Sequence, residues 1–194
     1  MARKSIDLAA PTDPRWIEAV LENFDQFLAD HANCERKASA MAMGMVVKYP
    51  DRDRIIPGLI DVAREELEHF ADVQKIMAAR GVPLARDVPD PYVAALMQLA
   101  RHGRDDRFVD RMLIASVVEC RGAERFGLVA ANVRDANLST FYARLRNGEL
   151  KHGHVFVDFA LRYVDADIVY ARLQEFVAAE AEILRTLPFR PALH

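Results

Sequence analysis

Glu66-Leu67-Glu68-His69 and Glu149-Leu150-Lys151-His152 are the two segments of this chain whose residue types and spacing suit metal ligation. Residues at i and i+3 of a helix lie on one face, so each Glu-x-x-His aims a carboxylate and an imidazole into the same space. A lone Glu on an apolar stripe precedes each motif, Glu35 lying 31 residues before Glu66 and Glu119 lying 30 residues before Glu149. The two halves repeat one helix-pair plan. Four carboxylates and two imidazoles in an apolar interior would be strongly unfavourable alone, because ions withdrawn from water lose their hydration. Two divalent cations would set four positive charges against the four Glu, so charge balance predicts two metal ions. Mixed carboxylate and imidazole ligation suits iron, with manganese as the other candidate. With 12 Glu and 6 His in the chain, one Glu-x-x-His arises by chance in roughly a third of such sequences, so the second copy and the paired upstream Glu carry the inference.

Helices must position these side chains, since apolar residues recur at three and four and strand signals are nearly absent. The pattern predicts a first helix from just after Pro14, with Asp13 as a cap, to about Tyr49, burying Phe27, Leu28, His31, Glu35, Ala42 and Met45. A second should cover Asp53 to Arg80 and stop at Gly81, with Leu59, Val62, Glu66, His69 and Val73 inward. A proline-bearing connection and a short helix near Tyr92 to Arg101 lead to a third long helix over Asp105 to Val133, burying Met112, Ser116, Glu119, Ala123 and Phe126. The fourth should run from Ser139 to Tyr163 with Tyr142, Leu145, Glu149, His152 and Phe156 inward. A last helix, capped by Asp165 and reaching Leu187, shows a stripe of Ile168, Leu173, Phe176, Val177, Ala181 and Leu184 with no inward polar pair, and so reads as structural. The expected fold is all-α, a ferritin-like four-helix bundle with a dinuclear metal site and additional short and C-terminal helices, in a single domain over residues 1–194.

Composition narrows the classes further. A chain of 194 residues with 52% hydrophobic and 28% charged residues is a folded globular protein rather than a disordered one. No apolar run approaches the roughly 18–20 residues of a membrane span, and the opening residues hold no signal-peptide core, so a cytoplasmic location without membrane contact is expected. Cys34 and Cys120 form no CxxC, which removes structural zinc and thioredoxin-like chemistry, and both read as small buried hydrophobes. Arg outnumbers Lys 21 to 5, yet the net charge of -3 lacks the bulk basicity usual in nucleic-acid binders. Glu65, Glu68, Glu124, Glu175, Glu180 and Glu182 read as solvated faces or surface ion pairs. His31, one turn before Glu35, is either a donor to that carboxylate or a satisfied core histidine. His154 points away from the His152 face, and the methionines of Met41 to Met45 read as adaptable core.

Further motifs resemble one family. Cys34-Glu35-Arg36-Lys37-Ala38, the Glu-Glu-x-x-His-Phe stretch Glu65 to Phe70, Gly81-Val82-Pro83-Leu84, Asp110-Arg111-Met112-Leu113 leading to Glu119-Cys120-Arg121, and Glu124-Arg125-Phe126 are similar to the tRNA 2-methylthio-isopentenyladenosine hydroxylases of the ferritin-like superfamily. The similarity spans roughly Trp16 to Leu187. It departs at Cys120-Arg121-Gly122-Ala123 and at Gly148-Glu149-Leu150-Lys151-His152, leaving the ligands in place. The resemblance implies a di-iron monooxygenase with dioxygen as co-substrate, hydroxylating the isopentenyl group of a hypermodified adenosine beside the tRNA anticodon. Glu35, Glu66, His69, Glu119, Glu149 and His152 would be its catalytic metal ligands. The chain has no flavin or nicotinamide fingerprint, so an external electron donor of the reductase or ferredoxin type is implied. The anticodon loop of tRNA would be the other partner, with Arg101, Arg104, Arg107, Arg111, Arg144 and Arg146 as candidate phosphate contacts, although a solvated helix face with Asp105, Asp106 and Asp110 in ion pairs is the favoured reading for any one of them. A homodimer is compatible with this reading. The alternative is a ferritin-like metal-handling or peroxide-detoxifying protein: a ferroxidase, a rubrerythrin-like protein, disfavoured by two distant cysteines, or a manganese catalase. A metal-free helical interaction protein is the non-enzyme alternative.

Overall fold

A computed structural model describes residues 6–194, and its regular elements among the described residues are helical. In chain order they are α1 (Pro14–Glu22), α2 (Phe24–Lys48), a 3-10 turn (Asp53–Ile55), α3 (Ile56–Arg80), α4 (Pro91–Gln98), α5 (Arg104–Asn132), α6 (Ala136–Leu161) and α7 (Ala166–Thr186). They fall into two compact units, one holding α1 to α3 with residues 189–193, the other holding α4 to α7 with the described residues up to Asp13 and His194. None of these helices is long and apolar enough to cross a membrane.

In the first unit α2 and α3 form an antiparallel hairpin, since Arg80 at the end of α3 pairs with Asp25 at the start of α2 at 2.7 Å. The single first helix expected from the sequence is broken. At Asn23 the backbone turns to φ -130°, ψ 45°, and the Asn23 side chain donates to the Ala19 carbonyl, closing α1 before α2 begins. Burial holds α1 in place: Trp16 is covered, packs edge-on against Phe27, and donates its indole N–H to the carbonyl of Ala192. α3 ends where Gly81 takes a left-handed φ of 71°, which lets the amides of Gly81 and Val82 close on the carbonyls of Ala78 and Met77.

In the second unit α5 and α6 form the matching hairpin, tied at its turn by the Ser139 hydroxyl donating to the Ala130 carbonyl at 2.7 Å. α6 begins earlier than Ser139 because the Asp135 carboxylate accepts from the amides of Asn137 and Leu138 and caps the helix. Asp110, wholly buried on α5, receives Arg101 and Arg172 at 2.8 and 2.9 Å and so ties the end of α4 and the middle of α7 to this hairpin. Burial alone would raise its carboxyl, but the hydrogen bonds from Arg172 and Arg101 outweigh that and hold it below the usual carboxylate range. The reading of α7 as free of inward polar groups is corrected here: Glu180 is wholly buried and binds Arg121, while Ile168, expected inward, is 55% exposed and Val169 takes the buried position.

Candidate metal centre

Each helix hairpin builds one set of donors. On α2, Glu35 is 3% exposed, and on α3, Glu66 is wholly buried with His69 beside it. His69 Nδ1 lies 3.3 Å from Glu66 Oε2 and 3.8 Å from Glu35 Oε2, and the three residues offer ligand atoms within 4.8 Å of one another. His31 resolves as a partner of the carboxylate: its Nε2–H donates to Glu35 Oε1 at 2.5 Å, from a fully buried ring stacked on Phe27. The bond leaves Glu35 Oε2 on the His69 side. A histidine that orients a ligating carboxylate contributes about 10–100-fold to metal affinity. His31→Ala should therefore weaken iron binding by about that factor, as read by competition with a chromophoric chelator.

On the second hairpin, Glu119 of α5 and Glu149 and His152 of α6 are all buried. His152 Nδ1 stands 3.5 Å from Glu149 Oε2, and these three residues likewise present ligand atoms within 4.8 Å of one another. The closeness of α5 and α6 here depends on a glycine the sequence reading did not single out. A Cβ on Gly153 would stand 2.7 Å from Cys120 Sγ and 3.4 Å from the Ser116 carbonyl oxygen, so only a hydrogen fits between the helices next to His152. The Cys120 thiol is inert in this position, since burial pushes it up to about 12. Gly153→Ala should force the helices apart, costing about 1–3 kcal/mol and lowering iron content, while adding Cys120→Ala to that variant should restore both. Thermal melts and metal analysis of the two variants test this.

Each donor set is two buried carboxylates and one imidazole, His152 buried and His69 half-buried, which is a set that iron or manganese accepts. A family model described as tRNA-(MS[2]IO[6]A)-hydroxylase (MiaE) matches residues 2–194. The chain belongs to this family. A Pseudomonas putida relative named tRNA 2-(methylsulfanyl)-N(6)-isopentenyladenosine(37) hydroxylase is 36% identical over 181 residues, covering 92% of this chain and 87% of the relative. A Salmonella typhimurium protein of the same name is 24% identical over 226 residues, covering 91% and 83%. Among solved structures, a Synechococcus protein described as having aldehyde deformylating oxygenase activity superposes with a TM-score of 0.90 at 33% identity, covering 95% of this chain and 92% of its own.

The remaining candidates in this hydroxylase-family chain divide as follows. Glu124 and Glu180, read as surface carboxylates, are instead partners of Arg121, which is wholly buried and also donates to Thr12 Oγ1 and the Ala10 carbonyl. Tyr92 donates its hydroxyl to the same Glu180 at 3.0 Å, and burial together with that carboxylate holds the phenol well above its ordinary value. Arg101 is committed to Asp106 and Asp110, as the ion-pair reading of these arginines expects, and Arg104 lies 4.0 Å from Asp105. Cys120 is buried as expected, whereas Cys34 is half-buried, and within the methionine run Met45 is buried while Met43 is 43% exposed. A cavity of about 900 Å³ runs along α5 and α6, walled by Cys120, Ala123, Gly127, Ala143, Arg146 and Leu150 among others.

Proposed function

We propose that this chain hydroxylates the isopentenyl group of 2-methylsulfanyl-N6-isopentenyladenosine in tRNA, using iron and dioxygen. In this reading Glu35, Glu66, His69, Glu119, Glu149 and His152 are the metal ligands. The observation that carries this reading is a duplicated Glu, Glu, His donor set whose carboxylates are buried, in a chain that its family model matches from residue 2 to 194. The names of the Pseudomonas and Salmonella relatives supply the substrate.

When bound, the two irons would supply the reduction of dioxygen and the insertion of one oxygen atom into an unactivated carbon–hydrogen bond. The overall balance consumes the C–H bond, dioxygen, two electrons and two protons, and yields the alcohol and water, so a donor of the reductase or ferredoxin type is required. The chain's own residues would hold the ions: four carboxylates would neutralise two divalent charges, and His69 and His152 would complete the sets. His31 keeps Glu35 oriented by its 2.5 Å hydrogen bond. The apolar core residues Phe27, Val62, Met112 and Phe156, all buried, keep bulk water from the helix faces that bear the donors. The cavity along α5 and α6 has the size of a small-molecule pocket and the apolar wall a prenyl group requires, with Arg146 available to a phosphate.

Nucleoside analysis of tRNA from a host lacking its own hydroxylase tests the proposal. Restoring this chain should convert the isopentenyl nucleoside to its hydroxylated form; persistence of the precursor, with reductant and iron supplied, overturns it. A second reading, oxygenative deformylation of an aldehyde, draws on the likeness to the Synechococcus protein. Loss of an aldehyde substrate with release of its formyl carbon would favour that reading.

A further inference from the structure

We propose that Ser116 is a positioning residue for the small oxygen-bearing ligand held at the Glu119, Glu149 and His152 set, its hydroxyl hydrogen-bonding to that ligand; this assignment rests on the metal-centre reading above. Ser116 is wholly buried on α5, one turn before Glu119 and on the same face. It is also level with His152 on α6, because its carbonyl oxygen lies 3.4 Å from where a Cβ on Gly153 would stand. A helical serine or threonine commonly returns its hydroxyl to a backbone carbonyl. In this chain Thr140 does so to Ala136 at 2.9 Å, and the hydroxyls of Ser39 and Ser139 reach Ala63 and Ala130 at 2.7 Å on neighbouring segments. Ser116 Oγ is different: it is buried and has no hydrogen-bond partner among the described residues.

A buried hydroxyl without a partner is unfavourable, and alanine would fill the same space without that penalty, as Ala115 and Ala123 do on the same helix. The isopentenyl group is a hydrocarbon and offers no partner to a hydroxyl. Water, hydroxide, dioxygen or a small anion does, and each is small enough for a position enclosed by helix backbones. Ser116 therefore fixes the orientation of the exogenous ligand without itself binding metal.

The test uses the iron-loaded protein and azide as the probe. The expected result is that Ser116→Ala retains the wild-type iron content and thermal midpoint while its azide dissociation constant, read by optical titration, rises about fivefold, the loss of one hydrogen bond. An azide affinity within about twofold of wild type at full iron content overturns the assignment. Loss of iron or a lowered midpoint in Ser116→Ala also overturns it, since either marks the hydroxyl as structural. A wild-type chain that takes up no iron overturns the metal-centre reading itself, and this assignment with it.

Discussion

Glu149→Gln should reduce bound iron from two ions per chain to one or fewer and abolish nucleoside hydroxylation while leaving the fold intact. The exchange keeps the shape of a side chain that is 3% exposed and lies 3.5 Å from His152, but it replaces a charged donor oxygen with an amide that neutralises no metal charge. Partners that only orient a ligand contribute about 10–100-fold to affinity or activity, so loss of a ligand itself should exceed the upper end of that range, about 100-fold. The metal-free variant should melt no lower than metal-free wild type, because a buried negative charge beside Glu119 has been removed. Metal analysis, nucleoside mass spectrometry and thermal melts check the three outcomes. Two irons retained at full activity would remove Glu149 from the centre.

The second large effect lies outside the donor sets, at Arg121. Its guanidinium binds Glu180 through Nε at 2.7 Å and Nη2 at 2.9 Å, Thr12 at 3.1 Å and the Ala10 carbonyl at 2.8 Å, and it also pairs with Glu124. Arg121→Met leaves Glu180 buried with the Tyr92 hydroxyl, at 3.0 Å, as its donor. Breaking a buried pair from one side costs about 3–5 kcal/mol, because the surviving charge is uncompensated. At about 2–4 °C per kcal/mol for a chain of this size, the melting temperature should fall by about 6–20 °C. The double variant Arg121→Met/Glu180→Gln removes both charges and keeps an acceptor for Tyr92, so it should recover most of the loss. Calorimetry that finds the double variant no better than the single one would show that the pair's charges are not what Arg121 supplies.

The clustering of these carboxylates and imidazoles was legible because such groups on an apolar stripe contradict ordinary burial, and because that contradiction occurs twice at nearly equal spacing. Glu180 carried the same signal, standing seven residues after Leu173 and one before Ala181 on a buried face, but its partner is on another helix, 59 residues away, and no local pattern joins them. Gly153 was visible as a glycine inside a helix, where it is unfavourable by about 1 kcal/mol relative to alanine. Its reason is a thiol on α5, so only the packing of two helices reveals it. The break at Asn23 had no proline or glycine to announce it, and the bond from Trp16 before the break to the Ala192 carbonyl joins residues too far apart in sequence for any local pattern to show. The match of family motifs conveyed the substrate class, which helix periodicity alone does not contain.

The two histidines differ in shelter: the His69 side chain is 18% exposed and that of His152 is 1% exposed. A chelator approaching from solvent meets the first imidazole long before the second, so removal of the ions should be biphasic, with a labile population leaving through α2 and α3 and a slow one retained between α5 and α6. Stopped-flow chelation would resolve the two phases, and His152→Ala should speed the slower one. A half-loaded chain would then be a kinetically persistent species during maturation, with its single ion stored in the deeper berth.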